Sequence, residues 1–235
     1  MRNLAISNQR VLAIDTFGLI LSVAVSNGNE IYYSETDAKM RQSELVMDCI
    51  DNLMKKASLK PSDLEGVICM GGPGSFTGLR IGYSIAKGLA LSLSIPFAPV
   101  PTLDCLAFSP APSYSLLCTL IEARKNSYFY AFFRDGIRVT PDKEADSGQI
   151  LEEIRHFNEE VTLTGPGSAI FYDSLQPELR ENIILDFKNK GYAKEIIVIA
   201  QNTNILHNDN NAYLYSGPDY IRKSDAELNI LFTAN

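Results

Sequence analysis

Apolar and polar positions change period along the chain, and each change marks an element. Val11–Asp15, Leu19–Ser26 and Glu30–Ser34 are short, apolar, β-rich runs, and Asn27-Gly28 between the last two is a strong hairpin signal. Three consecutive antiparallel strands are therefore expected first, turning initially at Asp15-Thr16-Phe17-Gly18. From Gln42 to Ala57 the spacing becomes helical, with Leu45, Val46, Cys49, Ile50, Leu53, Met54 and Ala57 on one side. Glu44, Asp48 and Asp51 come early and Lys55-Lys56 late, the order that the helix dipole favours. A short β-branched run, Val67-Ile68, meets Gly71-Gly72-Pro73-Gly74-Ser75-Phe76-Thr77-Gly78, which opens into a helix over Leu79–Leu93 with Thr77 as its expected N-cap. Phe97–Val100 reads as a strand, and Thr102 as the cap of a short helix over Leu103–Phe108.

The turn-rich Ser109-Pro110-Ala111-Pro112-Ser113 divides the chain into lobes at 1–108 and 109–235. The second lobe opens like the first, with strands at Leu116–Ala123, Tyr128–Arg134 and Ile137–Thr140 and a turn at Asp135-Gly136. A helix over Ser147–Phe157, a strand at Val161–Thr164, the turn Gly165-Pro166-Gly167-Ser168 and a helix near Ala169–Leu175 follow. Periodicity leaves Glu195–Ala200 open between strand and helix, and Asn202–Asn211 reads as a loop.

The glycine-rich loop is the candidate for chemistry. Strand, glycine loop and helix together can present unpaired N–H groups to an anion. The known phosphate-loop spacings do not fit, because Thr77 stands where both the P-loop and the dinucleotide pattern require glycine. Pro73 stands where a nucleophile elbow needs glycine, so Ser75 is not read as a nucleophile. A purely structural turn between a buried strand and helix is the competing account. In the helix, Gly78, Gly82, Ala86 and Ala90 recur every four residues and form a stripe without bulk. Such a stripe admits close approach by the chain's own sheet or by a partner's helix.

Composition narrows the field. At 235 residues, 46% hydrophobic and 21% charged, the chain can bury a core as one large domain or two compact lobes. Its net charge of −7, without a dense Lys/Arg cluster, speaks against tight binding of a nucleic-acid backbone by this chain alone. Cys49, Cys69, Cys105 and Cys118 lie in apolar surroundings without a CxxC pair and read as reduced core thiols of a cytoplasmic protein. The first ten residues lack an apolar signal core, and no run reaches transmembrane length. The two histidines, His156 and His207, are far apart, so no histidine-based metal site is expected.

Asp63-Leu64-Glu65-Gly66-Val67, GGPGSFTGLRIG, AKGLA, Ile95-Pro96 and Val100-Pro101-Thr102-Leu103 together resemble the TsaB (YeaZ) family, densely over residues 11–108 and patchily beyond. That resemblance implies an actin-like ATPase (ribonuclease H-like) α/β fold, two lobes each with a mixed sheet opened by an antiparallel meander and flanked by helices. It also implies a non-catalytic subunit in tRNA threonylcarbamoyladenosine (t6A) synthesis. Chemistry is then supplied by a TsaD-type partner, with a TsaE-type ATPase and a Sua5-type synthase acting alongside. No cofactor is expected on the chain alone, an adenine nucleotide is open within the complex, tRNA is met only through the complex, and a homodimer of the isolated chain is left open.

Carried onto this sequence, the family's interface implies contacts by Leu45, Cys49, Leu53, Gly78, Gly82, Ala86 and Ala90. Asp15, Thr16, Gly74, Ser75, Thr77 and Arg80 are the candidates for phosphate or anion contact, with a local Asx-turn as the alternative for Asp15. The sequence departs from the family pattern at Phe17, where serine is usual, at Gln42, where histidine is usual, and at Glu122, where aspartate is usual. Gly217-Pro218-Asp219-Tyr220-Ile221-Arg222 resembles the family's C-terminal P-x-Y-x-R segment. Two other readings compete with this one. A small-molecule kinase or ATPase requires phosphate loops in both lobes and acids for hydrated Mg²⁺, and a metalloprotease requires a histidine cluster that the chain lacks.

Overall fold

The computed structural model describes residues 9–108, 116–203, 205–207, 213 and 215–219. The expected boundary at Ser109–Ser113, the stretch 208–211 and the segment from Tyr220 onward lie outside the described residues.

The first sheet contains β1 (Val11–Asp15), β2 (Ile20–Ser26), β3 (Ile31–Asp37), β4 (Gly66–Met70) and β5 (Phe97–Val100) in the order β3-β2-β1-β4-β5. The three opening strands pair antiparallel as expected, and β4 and β5 add in parallel. The second sheet contains β6 (Leu116–Arg124), β7 (Ser127–Arg134), β8 (Ile137–Arg138), β10 (Val161–Thr164) and β11 (Ile183–Leu185), with β9 (Lys143–Asp146) also pairing with β7. Its order, β8-β7-β6-β10-β11, repeats that of the first sheet, again with an antiparallel opening and parallel additions. The short strands β9 and β11 are not among the expected elements, because three or four residues carry little periodic signal.

Alternation along the strands separates three cores. Leu12 and Ile14 of β1 face α1 (Gln42–Lys56) and α2 (Phe76–Leu93), whereas Val11 and Ala13 face the space between the sheets. That inner space holds α3 (Thr102–Ala107) and α6 (Ala193–Thr203), packed against Leu117, Ile121, Phe129 and Phe133 of the second sheet. The outer face of the second sheet is covered by α4 (Ser147–Phe157) and α5 (Ser168–Ser174).

Several expectations are corrected. Ser75, not Thr77, caps α2, accepting the Gly78 N–H at 3.3 Å, so the helix begins at Phe76 and Thr77 falls in its exposed first turn. Thr102 does not cap α3 but is its first residue, because its Oγ1 is turned to accept the Gly72 N–H at 3.1 Å. Glu195–Ala200 is helical and lies within α6, which extends through Asn202 and Thr203 into residues expected to be loop. α6, which follows the division expected at 109, packs chiefly on β1, β2 and β4 of the first sheet.

Beyond α6 the chain closes the open edge of β5. Leu206 fills the space beside Gly66, and Tyr213 packs against the cores on both faces of the first sheet, which is feasible only around its edge. The Lys87 ammonium then donates to the Ser216 carbonyl, and the Asp219 N–H donates to Gly71 O at 2.7 Å. An uncovered edge strand would invite pairing with another chain.

Candidate partner interface and closed glycine loop

The turn after β1 is drawn inward. Asp15 is fully buried, and its carboxylate accepts from Phe17 N at 3.3 Å, Ser22 Oγ at 3.1 Å and Tyr192 N at 2.7 Å. Ser22 Oγ in turn accepts the Ala193 N–H at 3.0 Å. Two first-sheet side chains thus satisfy N–H groups at the start of α6, where an anion also complements the helix dipole. Burial pushes the Asp15 carboxyl up to about 6 against the pull of its hydrogen bonds, and Glu195 adds to the rise. Phe17 is buried with its ring 6.2 Å from that of Tyr192, and Thr16 Oγ1 donates to Gly78 O at 2.7 Å. Gln42, also buried, donates from Nε2 to Gly18 O at 2.8 Å and anchors α1 to the same turn.

The glycine-rich loop is likewise engaged internally. Gly71 N donates to Val100 O at 2.7 Å, Gly72 N to Thr102 Oγ1, Ser75 N to Phe17 O at 3.3 Å and Leu79 N to Ser75 O at 2.8 Å. Gly72 has φ +110, and a Cβ there would overlap the Asp219 carbonyl oxygen. The space at Gly74 is taken by the Phe17 ring, whose Cδ2 lies 3.1 Å from where a Cβ would stand. In the second lobe, Gly167 N donates to Leu120 O at 2.9 Å and sits so close to Glu122 N that a Cβ would be 2.7 Å away.

The structure places the six candidate anion contacts in different surroundings. Asp15 and Thr16 are buried in the inner packing, and the Gly74-Ser75 turn is bound up with Phe17 and the α2 cap. Thr77 and Arg80 lie outside, with the Arg80 guanidinium stacked 3.9 Å above the Phe76 ring. Among the described residues, no three His, Cys, Asp or Glu side chains converge as metal ligands.

The small-residue stripe of α2 also faces inward. A Cβ branch at Gly78 would overlap Thr16 O, and the Cβ position of Gly82 lies 2.7 Å from Thr16 Oγ1. Ala86 and Ala90 are buried in the core, as is Leu53 of α1. These five expected interface residues are used by the chain's own packing, whereas Leu45 and Cys49 are half-buried at its margin. The exposed surface of α2 is the opposite one. A groove of about 560 Å³ runs between α1 and α2, lined by Ser43, Met47, Phe76, Arg80, Ile81 and Ile85 among others. Met47, Phe76 and Leu91 are exposed, and Leu91 is 61% accessible. The signal was present in the sequence as apolar α2 positions left over once the glycine–alanine stripe had claimed the sheet-facing side.

Comparison with known proteins follows this geometry. The family model described as TsaD, tRNA N6-adenosine threonylcarbamoyltransferase, matches residues 34–230. The tRNA threonylcarbamoyladenosine biosynthesis protein TsaB of Bacillus subtilis (strain 168) is 27% identical over 224 residues, covering 92% of this chain and 96% of that protein. TsaB of Escherichia coli (strain K12) is 33% identical over 98 residues, 42% of each chain. Among solved structures, a Pseudomonas aeruginosa protein with similarity to peptidase YeaZ superposes with TM-score 0.77 at 18% identity, covering 91% of this chain and all of the other. YeaZ from Pseudomonas aeruginosa superposes with TM-score 0.67 at 17% identity, covering 83% and 93%. The structural likeness carries the fold, two mixed sheets flanked by helices. The chain belongs to the family described by the TsaD model and, within it, to the TsaB (YeaZ) proteins.

Proposed function

We propose that this chain is the non-catalytic TsaB-type subunit in t6A modification of tRNA, and that it binds a TsaD-type subunit through the outer face of α1 and α2. The observation that carries the reading is the exposed apolar groove between these helices, on a chain whose first-strand turn and glycine loop are filled by its own groups. The partner's identity is supported by the family match, because the similarity to the TsaD family covers residues 34–230, a span that includes α1 and α2, so a TsaD-type chain is expected to carry a like helix pair. Two related helix pairs can meet as a bundle about a near-twofold axis. The same face accounts for a homodimer when the chain is alone. A net charge of −7 supports contact with tRNA only through the complex. An adenine nucleotide and the TsaE-type ATPase belong, on this reading, to the assembled complex.

The test is co-expression with TsaD of the same organism, followed by capture of the pair and measurement of t6A in tRNA from cells that depend on this chain. Stable capture and restored t6A are expected, with no threonylcarbamoyl transfer by the isolated chain. Failure of capture, or robust turnover by the chain alone, would overturn the reading.

A further inference from the structure

α2 contains three glycines, at 78, 82 and 88, and the chain's own packing explains only two of them. Gly78 and Gly82 lie against Thr16, where a side chain would collide. Gly88 is different. It lies well inside the helix and is exposed, and a Cβ built on it would meet nothing within 4 Å. Its φ is not positive, so no backbone conformation reserves the position for glycine. Glycine weakens a helix interior, because it has the most conformational freedom to lose and covers no backbone. The isolated fold thus bears a cost at Gly88 that brings it no internal contact.

The surroundings supply a use for it. Ser84, one turn before, and Leu91, nearly one turn after, are exposed on the same side of the helix. Ile81 and Ile85 flank this line and continue into the apolar groove shared with Met47 of α1. A bare position beside an exposed apolar groove permits two helix backbones to approach more closely than ordinary side chains allow.

We infer that Gly88 is the point at which a helix of the TsaD-type subunit crosses α2 in direct backbone contact. The inference rests on the proposed pairing and deepens it. The occupant is argued from the family match, which spans α1 from just before its start and the whole of α2, so that the partner brings a related helix pair to the contact. With two such pairs meeting about a near-twofold axis, the outer face of one α2 lies against its counterpart, and Gly88 sits on that face.

The experiment compares wild type, Gly88→Ala and Gly88→Leu for thermal melting of the isolated chain and for affinity to purified TsaD of the same organism. Gly88→Ala is expected to melt about 2–4 °C higher, because alanine favours the helix and open space receives its methyl. The same variant should bind TsaD about 3–10-fold more weakly, and Gly88→Leu at least about 100-fold more weakly, because volume enters the crossing point. A role inside the fold would move stability and binding in the same direction. Wild-type affinity in both variants, or a lower melting temperature for Gly88→Ala, overturns the inference while leaving the pairing intact. A wild-type chain that TsaD does not bind overturns the pairing and this inference together.

Discussion

Asp15 takes a carboxylate into the core with no cationic partner among the described residues and supports it with two N–H groups and a hydroxyl. The folded protein holds the Asp15 proton up to about pH 6, because burial opposes the charged form. The unfolded chain releases it near 3.9. Between those values the unfolded state binds fewer protons, so this group's contribution to stability falls as pH rises. The stabilisation is fully present below about pH 3.9 and lost above about pH 6, a swing of roughly 3 kcal/mol. Asp15→Asn removes the titration while keeping one acceptor oxygen. Urea unfolding from pH 4 to 7 should show wild type losing about 2–3 kcal/mol relative to the variant as pH rises. A pH-independent difference would refute it. The sequence marked Asp15 as noteworthy and offered a local turn or a nucleotide as its role. Tyr192, its strongest partner, lies 177 residues away, and no local pattern reports that distance.

At the scale of elements, α2 shows how one helix divides its faces. Its inner face is built on near-contact with the first turn, so Gly82→Leu should force backbone apart and lower stability by at least about 3 kcal/mol in urea unfolding. Its outer face is exposed at Arg80, Ser84, Gly88 and Leu91, with Ile85 half-buried at the edge of the core. Ile85→Asp, at the half-buried margin where the groove meets the core, should lower stability by about 1–2 kcal/mol and reduce TsaD binding by at least about 100-fold. A folded Ile85→Asp chain that still captures TsaD normally would remove the groove from the interface. Helix α6 was ambiguous for a related reason: the apolar run Ile196-Ile197-Val198-Ile199-Ala200 suits a buried strand as well as a buried helix. The caps supplied by Asp15 and Ser22 of the other lobe favour the helix.

For the molecule as a whole, two similar lobes are joined by elements that cross between them. α6 fills the inter-sheet core, and the chain that follows it wraps the β5 edge through Leu206, Tyr213, Ser216 and Asp219. Tyr213→Ala would remove an aromatic side chain that touches two cores. It should cost about 2–3 kcal/mol, less than for a fully buried ring, and increase light scattering on warming as the β5 edge becomes accessible. Unchanged stability and scattering would show that this segment is an accessory rather than part of the fold.

The sequence by itself determined the two meanders, the helical periods of α1, α2 and α4, the glycine-loop junction and the family resemblance. Each of these is written in neighbouring residues as alternation, helical spacing or turn chemistry. Tertiary structure decided which face of α2 is inner, that Asp15 and Ser22 receive α6, that Phe17 and Asp219 close on the glycine loop, and that the groove between α1 and α2 stays exposed. The physical reason is that apolar spacing states how much surface a helix must bury, but not against what. A small-residue stripe looks the same whether it meets its own sheet or another chain. Only the position of Thr16 against Gly78 and Gly82 separates the two.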